Sequence, residues 1–158
     1  MKYPLDFLRM VFISVEFVFA LATYIFCNFY PKIFSVLGDS ITNDSEITKW
    51  LPVIPLGLSA YCCVDLTWKM ITPLSSSNKE LYDRPEGWRV KMRWYFSLFL
   101  SLVCAAIAIA LWIFSKALSH GQIGGLFILA LGLSLINTGC MIFASIALRT
   151  IMEKDDKD

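Results

Sequence analysis

The chain carries little charge, and this shortage is the most informative feature of its composition. Only 17% of its 158 residues are Asp, Glu, Lys or Arg, while 57% are hydrophobic. A soluble domain carries roughly 25% charged residues, because its surface must be polar. The net charge of +1 supplies no field that would attract nucleic acid. The composition therefore disfavours a soluble globular fold and direct nucleic-acid binding.

The sequence also lacks the usual signatures of catalysis and metal binding. Its one histidine, His120, is expected in a solvated outer turn. Its five cysteines lie inside apolar runs, at Cys27, Cys62, Cys63, Cys104 and Cys140. Their spacing matches neither a disulfide framework nor a metal motif. No nucleophile stands at a recognisable spacing from a base, and no glycine-rich phosphate loop is present. We therefore predict no enzymatic activity, no cofactor and no metal.

Long apolar runs lie between three charged blocks, at residues 32–49, 69–93 and 149–158. A run of about 18 or more mostly apolar residues can cross a hydrocarbon core of roughly 30 Å. Four such runs cover about residues 10–30, 50–72, 94–116 and 123–148. A soluble four-helix bundle would show a polar stripe on each helix, and residues 97–114 carry no charge on any face. The sequence predicts an all-α polytopic membrane protein, a single domain of four transmembrane helices.

The distribution of basic residues predicts the orientation. Of the 14 Lys and Arg residues, all but Lys32, Lys49 and Lys116 lie near the termini or between the second and third runs. Basic residues accumulate on the cytoplasmic side of a membrane. We therefore predict a multi-pass protein of the bacterial inner (cytoplasmic) membrane with both termini in the cytoplasm. Residues 31–49 are then expected to form a polar outer loop.

The third and fourth helices are expected to form a tight antiparallel hairpin that extends into the cytoplasm, because only about residues 118–122 connect them. Glycines recur every seven residues in the fourth run, and the third run offers small residues opposite them. The glycines are Gly125, Gly132 and Gly139, and the small residues are Cys104, Ala105, Ala106, Ala108 and Ala110. Small residues let helices approach closely in lipid. This groove is expected to pack within the chain, with packing between chains as the alternative.

Charged residues inside the apolar runs predict a polar belt. Glu16 lies in the first helix, about 10 Å from its cytoplasmic end at helical rise, and Asp65 lies at a similar depth in the second. Lys69 follows Asp65 by four residues, the favourable order for a helical ion pair. Arg9 precedes Glu16 by two turns, and Asn137 of the fourth helix lies near the same layer. We expect these side chains to face the bundle interior.

Two interpretations of this belt are open. In the first it is an ionic latch that fixes the register of the helices. In the second it forms a proton-linked or ion-conducting path, or a ligand pocket, because charges at membrane depth are costly and often functional. The latch is favoured, since the charges balance and no string of carboxylates or histidines continues outward.

The connection at residues 75–93 is a basic cytoplasmic loop suited to binding. Its candidate residues are Arg84, Trp88, Arg89, Lys91 and Arg93. Arginine and aromatic side chains commonly anchor protein interfaces, although basic residues beside a membrane can also contact anionic lipid. Three classes of function follow: an oligomeric scaffold or sensor that recruits a cytosolic protein, a small ion channel or proton-coupled carrier, and an accessory subunit of a larger membrane complex.

In size and topology the chain resembles the membrane subunit of the bacterial Kiwa anti-phage defence system. The resemblance covers the overall plan of four spans, cytoplasmic termini, short outer connections and a basic cytoplasmic loop. It rests on no sequence motif, so no residue role is carried over. It implies a homo-oligomer that registers infection at the inner membrane and works with a soluble DNA-binding partner.

Overall fold

The computed structural model describes residues 14–43, 50, 53–64 and 87–155, with side chains at 14–42, 50, 53–64 and 91–146. The regular elements within these ranges are all helical. They are α1 (Val15–Phe29), α2 (Pro31–Asn43), α3 (Val53–Tyr61), α4 (Gly87–Phe114) and α5 (His120–Asp155). The predicted all-α fold class is confirmed for the described residues.

Two of these helices are long and apolar enough to cross a membrane. Their apolar parts are Lys91–Phe114 in α4 and His120–Ile146 in α5, with hydropathies of 2.5 and 2.1. The pair formed by α1 and α2 would provide a third span if it is counted as one bent segment, and Val53–Val64 is a shorter apolar helix. These two or three helices indicate a membrane protein.

A right-angled bend separates α1 from α2. The hydroxyl of Ser14 accepts a hydrogen bond from the Phe17 amide at 3.2 Å and caps the start of α1. After Tyr30 the chain turns by 98°, and α2 begins at Pro31, where a proline without an N–H fits the first helical turn. The predicted polar loop at residues 31–49 is therefore wrong over 31–43, which are helical.

The apolar face of α2 explains why this segment folds as a helix. Phe34, Gly38 and Ile41 are buried at helical spacing, and α2 packs along α5. A side chain added at Gly38 would overlap the backbone carbonyl of His120, and one at Gly124 would overlap that of Phe34. The two helices therefore approach closely enough for their backbones to touch.

Polar contacts and a small apolar core hold the same end of the bundle together. The half-exposed His120 ring pairs with the Asp39 carboxylate, and its Nδ1 lies 3.2 Å from the Thr42 hydroxyl. The expected solvated His120 thus contacts α2. Beneath it, Ile41, Leu111 and Ile123 join α2, α4 and α5 in one buried cluster. The turn between α4 and α5 is closed by the Ser119 amide, which donates to Gln122 Oε1 at 3.0 Å.

The glycines of α5 face α1 and α2 instead of α4. A side chain at Gly132 would overlap the ring of Phe19, and one at Gly125 would lie 2.9 Å from the sulfur of Cys27. The prediction that Gly125 and Gly132 pack against α4 is therefore wrong, because Cys27 and Phe19 of α1 occupy the space beside them. Gly139 has no such neighbour within 4 Å.

Only some of the small residues predicted on α4 are buried. Cys104 and Ala108 are buried at 0% and 1% exposure, whereas Ala105 and Ala110 are half-buried and Ala106 is exposed. The buried face of α4 continues to Leu111, one turn beyond Ala108. The sequence shows many small residues in this helix, but their number does not identify the face that meets α5.

We predict that Gly38→Ala lowers the free energy of unfolding by about 1–3 kcal/mol, as overpacking typically does. The added methyl group would have to displace the backbone of His120. Gly57→Ala is the matched control, because a side chain there meets nothing within 4 Å and alanine favours helix by about 1 kcal/mol. Thermal unfolding of the detergent-purified protein measures both changes. A melting temperature unchanged by Gly38→Ala would contradict the close crossing of α2 and α5.

Candidate functional site

A buried ion pair joins α1 to α4. Glu16, in the first turn of α1, is 1% exposed, and its Oε1 accepts a hydrogen bond from Arg93 Nη2. Arg93 is 26% exposed, and its guanidinium carbon lies 5.6 Å from the centre of the Phe96 ring, which adds a cation–π contact. The positive end of the α1 dipole also favours a carboxylate at this position.

This pairing was not expected from the sequence. Arg9, the expected partner of Glu16, lies outside the described residues, so its part stays a prediction, and the structure shows Arg93 as a partner. The expected place of Arg93 on the cytoplasmic binding surface is wrong for its guanidinium, which binds inside the bundle. Glu16 and Arg93 are 77 residues apart in the sequence, so no rule based on spacing within one helix predicts their contact. The remaining signal is that Arg93, Ser97 and Ser101 recur every four residues on one face of α4.

The third helix at the ion pair is α5. The Cys140 side chain contacts both Glu16 and Arg93. Glu16 Oε2 is buried and has no hydrogen-bond partner within the described part of the chain. Burying an ion costs several kcal/mol, and an ion pair offsets this cost only when the geometry is good. Arg93 thus pairs with one oxygen of the carboxylate, while the other is buried without a hydrogen bond from the described residues.

A hydrogen-bonded cluster around Asn137 lies one turn further along α5. Ser97 donates its hydroxyl to Asn137 Oδ1 at 2.8 Å, and Asn137 Nδ2 donates to the Ser97 carbonyl at 3.1 Å. The same amide nitrogen lies 2.9 Å from the Ser101 hydroxyl and 3.5 Å from the sulfur of Cys62. Asn137 is 1% exposed. Its side chain joins α4 and α5 to the end of the α3 segment.

The ion pair and the Asn137 cluster lie about one helical turn apart along α4 and α5. Asn137 and Cys140 are three residues apart on α5, which corresponds to roughly 5 Å of helical rise. Arg93 and Ser97 are four residues apart on α4, or roughly 6 Å. Further buried hydroxyls, those of Ser59 and Thr138, have no hydrogen-bond partner in the described ranges. The described helices thus enclose one polar layer that contains Glu16 and Asn137.

The remaining candidate residues are distributed as follows. Asp65 and Lys69 lie outside the described residues, so their part in the belt stays a prediction. Arg84 also lies outside them, so its part in the cytoplasmic binding surface stays a prediction. Trp88 and Arg89 belong to the first turn of α4, and Lys91 is exposed. Residues 87–93 of the predicted cytoplasmic loop are therefore helical.

Within the described residues no three His, Cys, Asp or Glu side chains are grouped so that they could hold a metal ion. In comparisons with known proteins, the chain matches no family model, no curated protein and no solved structure. The features that bear on function are therefore the geometry of the buried ion pair and the distribution of charge.

We predict that Arg93→Gln lowers the free energy of unfolding by about 3–5 kcal/mol, because it leaves a buried carboxylate unpaired. Glu16→Gln should have a smaller effect, since Arg93 is partly exposed and its long side chain can reach water. The double variant should recover part of the loss. Denaturant unfolding in micelles measures this cycle, with the exposed Lys116→Gln as the control. Strictly additive effects would contradict a direct ion pair.

We also predict that Asn137→Ala lowers the free energy of unfolding by roughly 1–3 kcal/mol, because it leaves buried hydroxyl and carbonyl groups unpaired. Asn28→Ala is the matched control, since the exposed Asn28 amide donates only to the Tyr24 carbonyl of its own helix. The same unfolding assay measures both variants. Equal losses would show that the Asn137 cluster does not stabilise the bundle.

Proposed function

We propose that this protein is a membrane scaffold that recruits a cytosolic protein through the basic loop at residues 75–93. The observation that carries the proposal is the ion pair between Glu16 and Arg93. Because the charge of Arg93 neutralises Glu16, the pair holds α1 against α4 and presents no free charge for transport. This agrees with a latch, whose role is to hold one arrangement of the helices.

The membrane arrangement that we propose has four spans with both termini in the cytoplasm of a bacterial cell. α4 and α5 supply two spans, the bent pair of α1 and α2 supplies another, and the short apolar helix Val53–Val64 begins the remaining one. Support for the orientation is the concentration of Lys and Arg near the termini and in the 69–93 block. The basic loop then lies on the same side as Arg93.

We further propose that the scaffold is a homo-oligomer. Large apolar side chains cover its outside, and Phe29 and Phe143 are each 76% exposed. Gly139 has open space where a side chain would stand, and Ala106 is exposed. Small residues on a membrane-facing surface allow a second helix to approach closely. This supports contact between copies through α4 and α5.

A role in anti-phage defence is the part of the proposal that rests on the overall plan alone. A homo-oligomer at the inner membrane could register infection and pass the signal to a soluble DNA-binding protein held at the basic loop. Protection of cells from phage by the native chain, and its loss on deletion of residues 75–86, would support this role. Equal plating of phage on both strains would reject it.

A second candidate function is an ion channel or proton-coupled carrier. The observation that favours it is the buried Glu16 Oε2, which has no hydrogen-bond partner in the described part of the chain. The hydroxyls of Ser59 and Thr138 are buried and unpaired in the same sense. Such groups could conduct a proton if water entered the layer. The paired state of Glu16 makes the scaffold the stronger proposal.

The scaffold proposal predicts that Arg84→Glu with Arg89→Glu reduces capture of a cytosolic protein by about tenfold or more, because charge reversal at an interface repels the partner. Capture is measured by affinity purification from membranes followed by mass spectrometry. Lys32→Glu, at an exposed lysine of α2, is the matched control and should retain the same protein.

Liposomes containing the purified protein provide the second arm of the test. The scaffold proposal predicts no proton or potassium flux above that of empty liposomes. A flux that Glu16→Gln abolishes would reject the scaffold in favour of the channel or carrier. Equal capture by the reversed variant and by Lys32→Glu would reject the basic loop as the binding surface.

A further inference from the structure

The structure contains a cavity at the end of the bundle remote from Glu16. Its volume is about 590 Å³, which is within the range of small-ligand sites. It lies between α1, α2 and the first turns of α5. Residues that line it include Ala20, Thr23, Tyr24, Phe34, Gln122 and Gly125. The polar layer of Glu16 and Asn137 does not contribute to this lining.

The bend between α1 and α2 creates the space. α2 leaves α1 at 98° and is held against α5 by the backbone contact at Gly38 and by the Asp39–His120 pair. The three helices therefore enclose a space beside the bend. Two small residues that line this space, Ala20 on α1 and Gly125 on α5, leave it unfilled.

The deep part of the cavity is apolar and the open part is polar. Phe34 and Thr23 are each 7% exposed, and the Thr23 hydroxyl donates to the Phe19 carbonyl at 2.9 Å, so it has no need of a ligand. Tyr24 is 68% exposed, and Gln122 is exposed as well. A molecule that fits this gradient has an apolar end inside and a polar end at the opening.

We propose that this cavity binds one acyl chain of a membrane phospholipid, with the headgroup at the level of Tyr24 and Gln122. The inference depends on the proposed membrane location, which places acyl chains around the opening. Tyrosine is common where apolar and polar regions of a bilayer meet, because its ring is amphipathic.

Two other occupants fit less well. Water is disfavoured, because an apolar cavity without polar partners stays dry and the Thr23 hydroxyl is already satisfied. A helix of a second copy is about 10–12 Å across with its side chains. A cavity of 590 Å³ would hold only about one turn of such a helix. A flexible acyl chain can follow the corner between the helices.

The test measures phospholipid bound to the full-length protein. Detergent-purified protein is incubated with mixed micelles of dioleoyl phosphatidylcholine, repurified and extracted, and the lipid phosphorus is measured. We expect about one phospholipid per chain, since such sites are few in a protein. Ala20→Phe fills the cavity and should reduce the retained lipid by about tenfold. Leu21→Phe is the matched control, because Leu21 is 49% exposed on the outside of α1, and it should retain the lipid.

A second variant keeps the test decisive if Ala20→Phe fails to fold. Gly121→Phe adds a ring at another lining position, where an added side chain meets no described residue within 4 Å, and it should also reduce the retained lipid. Circular dichroism verifies the helical content of each variant. The proposal is overturned if the native protein retains no lipid, or if Ala20→Phe and Leu21→Phe retain equal amounts. Absence of the protein from the membrane fraction would instead reject the proposed membrane location.

Discussion

A carboxylate buried among apolar helices must be neutralised, and in this protein that requirement determines where three helices meet. Glu16 is 1% exposed and its charge is balanced by Arg93, while Cys140 brings α5 to the same point. Ion pairs of this kind are weak sources of net stability but are strongly destabilising when broken. Removal of either partner would leave the other charge buried without compensation. The pair links the first turn of α1 to α4.

The longest helix, α5, connects the rest of the fold because it uses a different face for each neighbour. Its glycines receive Phe19 and Cys27 of α1, and Gly124 touches the backbone of α2. Asn137 faces the opposite way, toward α4 and the α3 segment. Small residues allow the close contacts between helix backbones, and hydrogen bonds join the helices in the interior. Both kinds of contact can hold helices together in lipid, where apolar burial gives them little reason to associate.

Hydropathy was sufficient for the helical class and for the apolar runs, because it depends only on local composition. The partner of Glu16 could not be predicted, since Arg93 is distant in sequence and shares no helix with it. The helix α2 was not predicted, because Lys32 and Asp39 make its segment resemble a polar loop. The seven-residue spacing of Phe34 and Ile41, which form its buried face, was the signal that could have indicated a helix. The glycine period identified a packing face of α5 but not the helix that meets it. The spacing of small residues identifies a packing face of a helix, and only the tertiary structure identifies the helix that packs against it.

The bend after Tyr30 gives the bundle sides of unequal height. From its cap at Ser14 to the bend, α1 has 15 residues and rises roughly 22 Å, whereas the hydrocarbon core of a bilayer is roughly 30 Å thick. α5 has 36 residues and rises roughly 54 Å. Such a mismatch makes lipids thin around the short side or tilts the bundle toward it. Local thinning there would bring headgroups and water nearer to Glu16, in the first turn of α1.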